Sequence, residues 1–109
     1  MASDIEINLN TGQGEVLFET KKITGIFDAL VFKGTNKVEL AIESELGYTI
    51  FHSRDVFGIQ YIPIRSMVFD KDYHKFKETG DTPYYLNEKL RITVIGPANQ
   101  KIKLILKII

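Results

Sequence analysis

The stretch Val38–Ser44, VELAIES, shows the residue pattern that decides the fold. Apolar side chains occupy every second position, and glutamate or alanine occupies the positions between them. In an extended chain this places the apolar side chains on one face and the others on the opposite face. A period of two over this length is typical of a half-buried β-strand.

The same alternation recurs on both sides of this stretch. Leu90–Ile95 and Lys101–Ile109 alternate apolar with polar residues, and Gly25–Phe32 is an apolar run. Gly, Pro and Asn separate these segments, and none of them shows a helical period of 3.6 residues with caps. The sequence therefore predicts an all-β, single-domain antiparallel β-sandwich or jelly-roll-like fold, with seven to nine short strands and little or no helix.

Turn residues predict where the strands end. Lys33–Lys37, KGTNK, is a strong hairpin signal. Pro63 lies inside the apolar run Ile59–Phe69, which favours an edge strand or two strands meeting at a bend, because proline cannot donate to a ladder. Asp70–Pro83 is the longest polar stretch and is predicted to be a long loop.

Composition limits the possible functions. The 109 residues include 14 Lys or Arg and 14 Asp or Glu, so the formal net charge is zero. That balance argues against bulk nucleic acid as the main partner. The chain has no cysteine, which excludes disulfides, thiolate metal sites and a cysteine nucleophile. No apolar run approaches the roughly 20 residues of a membrane span, and the first ten residues do not resemble a signal peptide.

Charge is unevenly distributed along the chain. Residues 1–20 carry four acids and no base, and residues 89–109 carry five bases and no acid. We interpret residues 1–13 as a flexible N-terminal arm or a frayed edge strand, and residues 14–109 as a single β-sandwich domain. Either the first and last strands pair within one domain, or the acidic arm of one copy lies on the basic edge of the next. A third alternative, ranked lowest because no aromatic residues are interleaved there, is that the Lys101–Lys107 face binds nucleic acid. The candidate contact residues are Asp4, Glu6, Lys101 and Lys103.

Three isoleucines fall on the otherwise polar side of their strands: Ile95, Ile105 and Ile109. If they are exposed together they form a docking surface. If they are covered, both faces of the sheet are buried.

Aromatic residues cluster around the predicted long loop. Tyr73, Phe76 and Tyr84 are the candidate loop-end contacts, with Tyr61 and Tyr85 nearby. Such side chains anchor protein interfaces, stack on sugars, or cover one end of a β-sandwich. A carbohydrate-binding module is therefore the alternative to a protein that works by assembly.

Catalytic candidates are few. His52 and His74 are the two histidines, and Glu43 and Glu45 are paired carboxylates if one strand continues through both. A surface histidine and a solvated strand face are the favoured interpretations. Asp70–Asp72 begins like a calcium loop, but the later ligand positions do not fit. We expect no catalytic, cofactor or metal site, and no enzyme activity.

Three segments resemble small all-β structural proteins of tailed-bacteriophage virions: residues 38–50 (VELAIESELGYTI), residues 61–65 (YIPIR) and residues 84–96 (YYLNEKLRITVIG). The resemblance covers about residues 24–109. It implies a virion component of the decoration, neck or tail-attachment type, made in the host cytoplasm and acting through contacts with its own copies or other virion proteins. It implies no catalytic residues.

Overall fold

The computed structural model describes residues 3–66 and 82–109, and their regular structure consists of eight β-strands. The strands are β1 (Ser3–Asn10), β2 (Glu15–Glu19), β3 (Ile23–Ser44), β4 (Thr49–Pro63), β5 (Arg65–Ser66), β6 (Thr82–Glu88), β7 (Leu90–Ile95) and β8 (Lys101–Ile108). Every pairing between them is antiparallel. The predicted all-β antiparallel fold is confirmed, whereas the predicted loop lies almost entirely outside the described residues.

The 22-residue strand β3 is the centre of the sheet. At about 3.3 Å per residue a straight strand of this length would span roughly 70 Å. The longest dimension of the molecule is 43 Å, so β3 must bend. The bend lies between Gly34 and Val38, where the register with β4 shifts.

The two halves of β3 have different neighbours on one edge. Phe27–Lys33 pairs with β8, and Glu39–Ser44 pairs with β7. The other edge of both halves pairs with β4, and β1 and β2 pair with β8 and β7 respectively. The bend therefore folds the sheet into two layers, as in a β-sandwich. Layer one contains β1, β8, the first half of β3 and the part of β4 that pairs with it. Layer two contains β2, β7, the second half of β3 and the part of β4 that pairs with that half.

The two ends of β3 meet at the junction between β6 and β7. Ile23 at the start of β3 pairs with Glu88, and Ser44 at its end pairs with Leu90. Only Lys89 separates those two partners in the sequence. The junction therefore joins the ends of the bent strand and closes the curl of the sheet.

The core lies between the two layers and is filled by every second side chain. Its fully buried members include Phe27, Leu30, Phe32, Leu104 and Leu106 from layer one, and Leu40, Ile42, Val56, Ile92 and Val94 from layer two. Burying a side chain of this size contributes about 1.5–3 kcal/mol. The alternation that predicts the strands is thus also the alternation that fills the core.

The predicted hairpin at Lys33–Lys37 is wrong, because β3 continues through it. The turn between β3 and β4 lies at residues 45–48, where Gly47 has a φ of 95°. Gly34 instead faces Gly58 of β4, so the two strands bend together at a pair of residues without side chains. Two of the eight strands, β3 with 22 residues and β4 with 15, are longer than the short strands that the sequence predicts, for the same reason.

For residues 3–10 the structure shows an edge strand in place of a flexible arm. Ser3–Asn10 pairs residue by residue with β8, and Ile7 and Leu9 are buried in the core. The buried Thr11 hydroxyl donates to the Pro97 carbonyl oxygen at 2.6 Å and accepts from the Gln100 amide at 2.8 Å. Polar residues dominate this segment because its alternate positions face solvent.

Replacing Ile7 with alanine tests whether β1 belongs to the folded domain. We expect Ile7→Ala to lower the free energy of unfolding by about 2–5 kcal/mol, because the truncation leaves a cavity in the core. The exposed neighbour Asn8 is the control, and Asn8→Ala should change stability by less than about 0.5 kcal/mol. Urea denaturation measures both. Equally small losses of stability in the two variants would show that β1 is a flexible arm outside the folded domain.

Gly25 tests how closely the end of the chain packs on β3. A Cβ at Gly25 would lie 2.8 Å from Ile108 Cγ2 and 2.9 Å from the Ile109 carbonyl oxygen, and its φ is 143°. Gly47 also has a positive φ, but open space around it. We expect Gly25→Ala to destabilise the protein by about 2–4 kcal/mol and Gly47→Ala by about 1–2 kcal/mol in urea denaturation. Equal losses would show that this close packing is absent.

Candidate interaction surfaces

The outer face of layer one, termed the basic face, is built from alternate residues of four strands. Its members are Ile59 and Tyr61 of β4, Val31 and Lys33 of β3, Lys101, Lys103, Ile105 and Lys107 of β8, and Asp4, Glu6 and Asn8 of β1. Residues opposite each other in register share a face, with Cβ atoms about 4.5–5.5 Å apart. Four lysines against two carboxylates give this face a net charge of +2.

Two ion pairs on the basic face join the first and last strands. Lys107 Nζ lies 3.0 Å from Asp4 Oδ2, and Lys103 Nζ lies 3.0 Å from Glu6 Oε1. The hydrogen bond and positive charge of Lys103, with a smaller effect of Lys33, lower the pKa of Glu6. The structure therefore shows the first alternative, pairing within one domain, and places both candidate carboxylates on lysines of their own chain.

Two further lysines of the basic face lie close to Lys103. Lys33 is directly opposite Lys103 in register, and Lys33 and Lys101 line the same shallow depressions beside β1 and β4. Like charges placed this way repel. Within residues 3–66 and 82–109, no ion pair includes Lys33 or Lys101.

Apolar side chains form the remainder of the basic face. Ile59 is 78% exposed and Tyr61 is 62% exposed. Tyr61 is opposite Val31, and Val31 is opposite Ile105. Together with Ile59, two residues from Tyr61 on the same face of β4, they form an apolar row that crosses three strands. Exposed apolar side chains grouped in this way are typical of an interaction site.

The three outward isoleucines do not form one surface. Ile105 belongs to the basic face, whereas Ile95 lies on the outer side of layer two and is 43% exposed. Ile109 follows β8 and is 54% exposed, and its amide and carbonyl pair with Ile26. The three side chains therefore do not form one docking surface, because Ile95 belongs to the other layer.

The outer face of layer two, termed the acidic face, has the opposite charge. Its members are Glu15, Leu17 and Glu19 of β2, Arg91, Thr93 and Ile95 of β7, Glu39, Ala41 and Glu43 of β3, and His52 of β4. Four glutamates against Arg91 and the adjoining Lys89 give a net charge of −2 with a neutral histidine. Arg54 and Asp55 lie at the adjacent bulge in β4, where Asp55 Oδ1 is 3.7 Å from Lys37 Nζ.

Two carboxylates of the acidic face have partners within the chain. Glu19 lies 3.7 Å from Arg91 and 3.8 Å from Lys89, and His52 Nε2 lies 2.6 Å from Glu39 Oε2. In the part of the chain that the structure describes, Glu15 and Glu43 take part in no ion pair.

The aromatic candidates have different surroundings. Tyr84 is half-buried and packs against the core, and burial, with the nearby charge of Glu88, raises its pKa. Tyr84 thus covers one end of the core. Tyr85 is 69% exposed, while Tyr73 and Phe76 lie outside the described residues.

The catalytic candidates have structural partners. His52 contacts Glu39 on the acidic face. Glu45 lies in the turn after β3, where its carboxylate accepts from the Lys89 amide at 3.3 Å, so it shares no strand face with Glu43. His74 lies outside the described residues.

No group of three or more His, Asp or Glu side chains in the described residues is arranged to hold a metal ion. The same residues contain no helix of the length and hydropathy needed to cross a membrane.

Sequence reasoning missed Lys33 and Ile59. The sequence pattern predicts a hairpin turn at Lys33, and it places Ile59 in an apolar run without indicating which face its side chain occupies. The signal that identifies Lys33 is the alternation along β3. Leu30 and Phe32 point into the core, so the next residue, Lys33, points outward. Ile59 could be placed only through its register with Lys33.

Comparison with known proteins supplies no assignment for either face. No protein-family model matches the chain, and no curated protein matches it. The interpretation of the two faces therefore depends on their geometry and charge.

The pKa of Glu6 tests the pairing of β1 with β8. We expect a side-chain titration followed by nuclear magnetic resonance to give a pKa below the ordinary 4.5. A lowered folded-state pKa stabilises the fold above the unfolded pKa, and this contribution is lost as the pH falls through the folded value. Lys103→Gln should return the pKa towards 4.5, whereas Lys107→Gln should change it less. An ordinary pKa in the wild-type protein would contradict the pairing.

Proposed function

We propose that this chain is a non-enzymatic structural protein of a tailed-phage virion. It acts by self-assembly or by docking onto other capsid, neck or tail proteins. The observation that carries the proposal is the exposed apolar row on the basic face, bordered by lysines. A sheet surface of this kind suits another protein surface, whereas small ligands usually bind in concave pockets.

The exposed side chains supply the free energy for such contacts. Burying an isoleucine or a comparable side chain is worth about 1.5–3 kcal/mol, and Ile59 keeps most of its surface in solvent. Tyr61 adds a ring with an apolar body and a polar tip, a residue type enriched at interface centres. Lys33 and Lys101 beside them add charge that favours an acidic partner surface.

The virion setting is supported by the resemblance over residues 24–109. Proteins of this kind act through repeated contacts between copies and neighbouring virion proteins. Two differently charged outer faces on one small domain are suited to making more than one contact. The partners we propose are further copies of the chain, other virion proteins, or both.

The alternative function is a carbohydrate-binding module. The observation that favours it is the exposed ring of Tyr85, because aromatic rings can stack on sugar faces. Tyr84, the original candidate, is half-buried against the core. Glycan-array binding that disappears in Tyr85→Ala would favour this alternative over assembly.

Ile59→Ser tests the contribution of the apolar row to self-association. We expect the wild-type chain to exceed its monomer mass of 12.5 kDa in light scattering at micromolar concentration. Ile59→Ser should weaken association at least tenfold, corresponding to about 1.4 kcal/mol. Leu46→Ser is the matched control, because Leu46 is 74% exposed in the turn after β3, away from both faces. Equal association of both variants would contradict a role for the row.

A further inference from the structure

The two charged faces point in opposite directions. Their inner sides face each other across the core, so the basic face and the acidic face lie on opposite sides of the molecule. Both faces include residues of β3: Val31 and Lys33 on one side, and Glu39 and Glu43 on the other. One copy therefore presents a positive surface and a negative surface back to back.

The charges that lack an ion pair on each face are complementary. Lys33 and Lys101 on the basic face, and Glu15 and Glu43 on the acidic face, have no ion pair among the residues that the structure describes. The other charges of the basic face are already joined within the chain, at Asp4–Lys107 and Glu6–Lys103. The four side chains without an ion pair are therefore available to a partner of opposite charge.

Each face also carries exposed apolar side chains. The basic face has Ile59 and Tyr61, and the acidic face has Leu17 at 69% exposure and Ile95 at 43%. Contact between unlike faces buries apolar surface on both sides. Contact between two basic faces would instead place lysines near lysines, which repel each other.

We propose that the basic face of one copy docks onto the acidic face of a second copy. This inference rests on the proposed self-assembly and names its surfaces. Because the two docking surfaces differ, the contact is heterologous and repeats from copy to copy, giving a ring if the rotation closes and an open chain if it does not. Each interface brings Lys33 and Lys101 to Glu15 and Glu43.

Two charge-reversed variants test this arrangement. The first is Lys33→Glu with Lys101→Glu, and the second is Glu15→Lys with Glu43→Lys. Each variant alone should lose self-association at least tenfold in light scattering, because both of its faces then carry the same sign. An equimolar mixture should associate, because the acidic face left on the first variant complements the basic face left on the second. High salt should weaken both the mixture and the wild-type assembly.

The control reverses the same number of charges outside both faces. Lys21→Glu with Lys22→Glu, in the link between β2 and β3, should associate like the wild-type chain. All six positions lie on the surface, and circular dichroism with thermal unfolding verifies that each variant is folded.

The outcomes separate this inference from the proposed function. A wild-type monomer at every concentration and salt would overturn self-assembly, and binding of a DNA duplex by that monomer would assign the basic face to nucleic acid. Wild-type association that persists unchanged in both reversed variants would overturn only the pairing of these faces. Loss in each variant without recovery in the mixture would also overturn the pairing.

Discussion

Backbone hydrogen bonding along the bent strand β3 is the constraint on which the rest of the structure depends. Its first half pairs with β8 and its second half with β7, while β4 follows its other edge. Because period-two alternation holds in both halves, Leu30 and Leu40 point into one shared core. The same alternation directs Lys33 and Glu43 outward on opposite sides. The core and the two charged faces are thus consequences of one bent strand.

Charge has two roles in this molecule. On the basic face, ion pairs between β1 and β8 occupy Asp4 and Glu6 within their own chain. Exposed pairs of this kind contribute modestly to stability and respond to salt. Lys33 and Lys101 are the lysines of this face that remain outside these ion pairs. A partner on this face would therefore contact their positive charge and not the carboxylates of β1. Although the net charge of the chain is zero, its two outer faces therefore carry opposite net charges.

The all-β class and most buried positions could be predicted from alternation alone, as Val38–Ser44 shows. The continuity of β3 could not, because Gly34 suits a hairpin turn and a bent strand equally. The choice depends on Gly58 across the sheet, which is a long-range relation. The terminal charges left open whether the first and last strands pair within one domain or the arm of one copy lies on the next, and the structure shows the first. The basic face itself needed the register of four strands, so Ile59 could not be assigned to it.

Carbodiimide cross-linking of a mixture of ¹⁴N- and ¹⁵N-labelled chains, read by mass spectrometry, tests the account most directly. It joins carboxylates to lysines that touch, and the isotope pattern shows whether both came from one chain. The account predicts single-label products for Asp4–Lys107 and Glu6–Lys103, and mixed-label products joining Lys33 or Lys101 to Glu15 or Glu43. Mixed-label Asp4–Lys107 products, or no mixed-label product between the two faces, would contradict it.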